Sequence, residues 1–175
     1  GNDLTDDILY SEKALFLIVN YSLKGQPERA TRIVQDSVFV TDTVTVVDMD
    51  SYEDSTYTVK SFKGMEEREE SYVNQNWNKA YVKKHVEQLK PFTDAAKNDG
   101  FRVLMAVGKS DPEAIMDFDK ATGLDIEYGM ADDILLKTIV RSNPGVVLWE
   151  GGKILDKWHI RKLPEYTKVK AMYLE

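Results

Sequence analysis

Residues 137–160 read "KTIVRSNPGVVLWEGGKILDKWHI". "GVVLW" is a short apolar run, the pattern of a strand buried on both faces, and it is entered through the Asn143-Pro144 bond. "EGGK" follows, and a two-residue Gly-Gly loop favours the turns that close a tight hairpin. "KILDKWHI" is then the returning strand, so the two are antiparallel neighbours ending at Trp158 and His159.

Outward from this hairpin, "FRVLMAVG" (101–108) and "ALFLIV" (14–19) are further apolar runs, and the second is expected at the centre of a sheet. From Asn76 to Asn98, Val82, Val86, Leu89, Phe92 and Ala96 recur at helical spacing, with Trp77 and Tyr81 beside them. Pro91 predicts a kink or break at the preceding turn, and Gly100 supplies the stop. "SDPEAIMDFDKATG" gives a second helix, with Ser110 and Glu113 at capping-box spacing and Gly123 past its end. "ADDILLKTIV" is a short helix beginning at Asp132; capping and the helix dipole account for Asp132 and Asp133, so no metal is assigned to them and Glu127. The tail from Pro164 closes with a short helix.

Between the first strand and the first helix, "NYSLKGQPER" (20–29) reads as a loop broken by Gly25 and Pro27. Residues 30–73, rich in Val, Thr and Tyr, read as an inserted strand-rich segment with a hairpin turn near Ser51 to Asp54. The charge run "MEEREES" (65–71) reads as a solvated connector or helix start.

With 175 residues, 42% of them hydrophobic, the chain can bury one sizeable core, and one domain over 1–175 is expected. The formal charge of −7 opposes the counterion release that drives nucleic-acid binding, so nucleic acid is not expected as a partner. The absence of cysteine excludes disulfide exchange, thiol peroxidase chemistry, iron–sulfur clusters and cysteine-ligated zinc. The longest apolar run, Ala14 to Val19, is far short of the roughly 20 residues of a membrane span. Gly1 in place of Met reads as the scar of a cleaved tag, which leaves room for an upstream segment. His85, four residues after Tyr81 and beside the apolar stripe, reads as a satisfied edge histidine, and Ser22 has no base or elbow motif that would make it a nucleophile. No catalytic residue, metal or cofactor is assigned.

Without residues 30–73 the order is strand, helix, strand, helix, antiparallel hairpin, helix, which resembles the thioredoxin fold. The resemblance implies an α/β three-layer sandwich: a mixed central sheet with helices on both faces, here with an inserted β-hairpin region. It also implies a cis bond before Pro144 and a rim where Ser22 to Gln26 face Arg141 to Pro144. The Cys-x-x-Cys of that family is missing. "DDILYSEKALFLIVNYSL" and "LLKTIVRSNPGVVLWEGGKILDKWHIRKLP" further resemble the soluble C-terminal extension of bacterial DoxX-family membrane proteins. That likeness implies a redox-inactive module that binds a protein or extended peptide beside an upstream membrane domain, through Ser22, Leu23, Arg141, Ser142, Asn143, Pro144, Trp158 and His159. The alternative it implies is a substrate-positioning domain of a membrane redox enzyme whose reactive groups lie outside this chain.

Overall fold

The structure, a computed structural model, describes residues 4–47 and 54–174. In chain order its elements are α1 (Thr5–Leu9), β1 (Leu15–Asn20), β2 (Gly25–Val47), β3 (Asp54–Trp77) and α2 (Lys79–Lys84). A π-helical turn (His85–Leu89) leads into α3 (Lys90–Asn98), followed by β4 (Arg102–Val107), α4 (Pro112–Thr122), β5 (Glu127–Met130) and α5 (Asp133–Ile139). β6 (Gly145–Glu150), β7 (Lys153–His159), a 3-10 turn (Ile160–Lys162) and α6 (Tyr166–Tyr173) complete it.

The chain divides into two units, residues 1–26 with 75–175, and residues 27–74. The first unit holds a five-stranded mixed sheet in the order β5-β4-β1-β6-β7. β1 pairs parallel to β4, with Phe16 opposite Val103, and antiparallel to β6, with Phe16 opposite Leu148. All six of its residues are buried, as a strand with neighbours on both edges and cover on both faces requires. Side chains alternate across it. Phe16 and Ile18 enter a cluster with Phe92, Ala96, Phe118 and Tyr166, while Leu15, Leu17 and Val19 meet Leu136 and Val140 on the opposite face. Helices therefore cover both faces. The steps from β1 to β4 and from β4 to β5 run the same way across the sheet, so one crossover hand puts α2, α3 and α4 on one side.

Local chemistry sets the ends of these elements. Asp111, not Ser110, caps α4: its carboxylate accepts from the Ala114 N–H at 2.7 Å, whereas the Ser110 hydroxyl turns back to the Gly108 carbonyl. Asp132 caps α5 by accepting from the N–H groups of Ile134 and Leu135, both at 2.9 Å. Gly151 and Gly152 hold φ of 55° and 78°, the left-handed values that a two-residue hairpin loop needs. The helix before Pro91 leaves α geometry in the turn His85–Leu89, and it runs on through Pro91. That wider turn changes the buried face. Tyr81, His85, Leu89, Phe92 and Ala96 point inward, and Val86 of the expected stripe is turned out to solvent.

The second unit belongs to a two-stranded antiparallel ribbon of β2 and β3, strands of 23 and 24 residues. The expected loop at Gly25 and Pro27 is already strand; proline is tolerated where its missing N–H faces an open edge. The charge run 65–71 is strand as well, because it finds partners across the ribbon: Arg32 with Glu70 at 2.7 Å and Arg68 with Asp36 at 2.8 Å. The turn expected near Ser51 to Asp54 falls outside the described residues except for Asp54.

Phe16 is fully buried and stands edge-on to Phe92 at 5.0 Å, with Phe101 and Tyr166 also around it. Phe16→Ala should lower the stability of the first unit by about 3–5 kcal/mol, measured by denaturant unfolding. A loss below about 1 kcal/mol would show that the β1 core is not what holds this unit.

Candidate functional site

Asn20 closes β1 with a fully buried amide, a costly residue for a central strand unless every polar atom is engaged. Its Oδ1 accepts from the Tyr81 hydroxyl, and its Nδ2 points to His85 Nε2 at 3.5 Å and to Met105 Sδ at 3.6 Å. His85 is likewise fully buried and donates from Nδ1 to the Tyr81 carbonyl at 2.8 Å. That bond fixes the tautomer, leaving Nε2 as the acceptor that faces the Asn20 amide. His85 is thus a core histidine and not an edge one, since it follows the buried Tyr81 by one helical turn on the same face. Phe118 stands edge-on to its ring at 5.0 Å. Burial lowers the His85 pKa to about 4 and raises that of the Tyr81 hydroxyl, so both are neutral at pH 7.

The rim lies just beyond this node. Asn143 Nδ2 donates to the Ser22 carbonyl at 2.7 Å, Tyr81 Oη also approaches that carbonyl at 3.4 Å, and Tyr21 Oη donates to the Arg141 carbonyl at 3.5 Å. The loop after β1 and the loop before β6 are thereby joined, and the Asn143-Pro144 bond between them is cis. Gly145 has to be glycine. A Cβ on it would sit 2.5 Å from Ser142 Oγ and 2.7 Å from Val140. Ser142 is buried, and neither its Oγ nor Asn143 Oδ1 has a hydrogen-bond partner among the described residues.

Of the eight residues singled out from sequence, Ser22, Arg141, Ser142, Asn143 and Pro144 come together here, and Arg141 alone of the 141–144 loop is well exposed. His159 lies in the same row across the sheet, since Gly145 pairs with both Val19 and His159. Its Nδ1 accepts from the Arg161 N–H at 3.0 Å and so caps the 3-10 turn. Leu23 and Trp158 instead pack against the helix-side cluster, Trp158 beside the ring of Tyr173.

Sequence reasoning missed the Asn20–Tyr81 partnership and a charged triad next to it. Asp133, nearly buried, takes Lys137 at 2.7 Å and Lys109 at 3.1 Å, and these two lysines hold its carboxyl below the ordinary range. Lys137 also stands over the Tyr21 ring at 5.3 Å. Asp132 is occupied as a helix cap and Glu127 by Arg102 at 2.7 Å. Among the described residues no three His, Asp or Glu side chains are grouped to hold a metal, and no helix is long and apolar enough to cross a membrane. The rim offers backbone groups, amides and one guanidinium.

No family model, curated protein or solved structure matches the chain.

The buried neutral His85 makes stability depend on pH with a definite sign. Its pKa is about 4 folded against 6.5 as a free side chain, so the unfolded state binds more protons throughout that window. Stability is full above pH 6.5 and falls as the pH drops toward 4, by about 3 kcal/mol in all. Urea unfolding across that range should show the loss, and His85→Gln should flatten it; an unchanged slope in that variant would place the proton uptake elsewhere.

Proposed function

We propose that this chain is a non-catalytic binding module of thioredoxin-like architecture that takes an extended peptide or protein segment on the rim between residues 21–24 and 141–144. The observation that carries the reading is the joined rim: the Asn143-to-Ser22 bond fixes two loops side by side at the carboxyl end of the central strand. Clefts outside the carboxyl ends of strands are the common ligand position in open α/β sheets. A sheet with one antiparallel inner strand and helices on both faces supports the thioredoxin-like assignment.

Arg141 gives the rim its preference. An exposed guanidinium at the lip selects a peptide carrying a carboxylate, through a charge-assisted pair. The absence of cysteine keeps the module silent toward disulfides and peroxides. The likeness of residues 6–23 and 135–164 to DoxX-family extensions supports attachment to an upstream membrane bundle, with the bound segment belonging to a partner of that bundle.

An array of extended acidic and neutral peptides tests the reading. Acidic peptides should be retained by the wild-type chain, and Arg141→Ala should weaken them about tenfold or more while leaving stability unchanged. No retention of any peptide, or retention indifferent to Arg141→Ala, contradicts the proposed rim.

A further inference from the structure

The ribbon of β2 and β3 is longer than its own interactions justify. Among the described residues each strand has a single neighbour in that sheet, so one edge of each is without a strand partner along some 20 residues. Isolated two-stranded ribbons are marginal in water, and three or more strands are needed for independent stability. Ile33, Phe39, Phe62 and Met65 are each more than half exposed, which leaves the ribbon without a core of its own.

The two free edges are not equivalent. The stretch of β3 that faces Ser37 to Val47 across the ribbon carries Lys60 and Lys63, and lysine is a usual protection of an edge against pairing. From Ser37 to Val47 on β2 the only ionisable residue is Asp42. The β2 edge is therefore the one open to another strand.

We propose that the β2 edge pairs antiparallel with the β2 edge of a second copy of this chain, converting two two-stranded ribbons into one four-stranded sheet about a two-fold axis at Val40. The register follows from charge. An axis at Asp42 would set that carboxylate against itself, and one at Phe39 would set Asp36 against Asp42 of the second copy. With the axis at Val40, Asp42 lies opposite Val38, Asp36 opposite Val44, and Phe39 opposite Thr41, an aromatic and β-branched pair of the favourable kind. Residues 33–47 then pair along about 50 Å and bury on the order of 1,000 Å² in total, which reaches the range of specific interfaces. A self-pairing edge supplies both missing strands in one isologous step.

Charge also tells this occupant from a basic partner. Residues 27–74 carry 11 acidic and five basic side chains, a net −6 out of the chain's −7. Two such arms repel, so self-association strengthens as salt screens them, whereas a complex with a basic protein weakens.

Sedimentation velocity of the whole chain is the test. A species of twice 20.0 kDa is expected, tightening with salt. Val40→Lys and Val40→Glu should each weaken it several-fold by setting like charges across the axis, and an equimolar mixture of the two should restore it. A monomer at every concentration and salt level overturns the proposal. So does a dimer indifferent to both substitutions, a mixture that stays monomeric, or a monomer that instead captures a basic protein at low salt and releases it at high salt.

Discussion

Satisfying one buried amide organises the carboxyl end of the central strand. Asn20 sits at full burial on the central strand, so its carbonyl and amide groups each need a partner inside the fold. Tyr81 supplies the donor, and His85 meets the Asn20 amide with a ring nitrogen whose partner nitrogen is tied to the Tyr81 backbone. Tyr81 and His85 stand one turn apart, which ties α2 and the π-helical turn after it to the carboxyl end of β1. The same Tyr81 hydroxyl lies next to the Ser22 carbonyl that receives Asn143, so node and rim share an atom.

β2 begins at Gly25, and the Asn78 N–H donates to the Lys24 carbonyl at 3.0 Å, closing the base where the chain departs and returns. A Cβ on Gly25 would lie 2.6 Å from the Trp77 ring, so glycine is what lets the two ends approach. Trp77 is held in turn by its indole N–H to Asp117 at 2.8 Å and by edge contact with Phe118. Ends held this close keep the entropy cost of the long intervening segment small, because loop-closure entropy grows only slowly with length.

Much of the body was legible in the sequence, and the reason is periodicity. Continuous apolar runs marked β1, β4 and β6, paired glycines marked the β6–β7 turn, and Asn143-Pro144 marked the corner before β6. What stayed hidden depends on partners distant in the chain. "MEEREES" looks like a connector until Arg32 and Asp36 face it across the ribbon. His85 looked like an edge residue because an ideal 3.6-residue period puts Val86 inward, and the π-helical turn rotates the stripe by one residue. Asn20 gave no signal, since an asparagine after an apolar run reads as the end of a strand. In the rim, Ser22 and the 141–144 loop were legible through the position of the proline, whereas Trp158 and Leu23 were drawn away by hydrophobic packing.

A neutral His85, protonated on Nδ1 and accepting on Nε2, completes the Asn20–Tyr81 node. Nitrogen-15 NMR of the His85 ring measures this directly. A single Nδ1–H tautomer is expected, one that keeps its neutral shifts as the pH is lowered to about 5 and takes up a proton only near 4. An Nε2–H tautomer, or a ring that titrates near 6.5 like a solvent-exposed histidine, would contradict it.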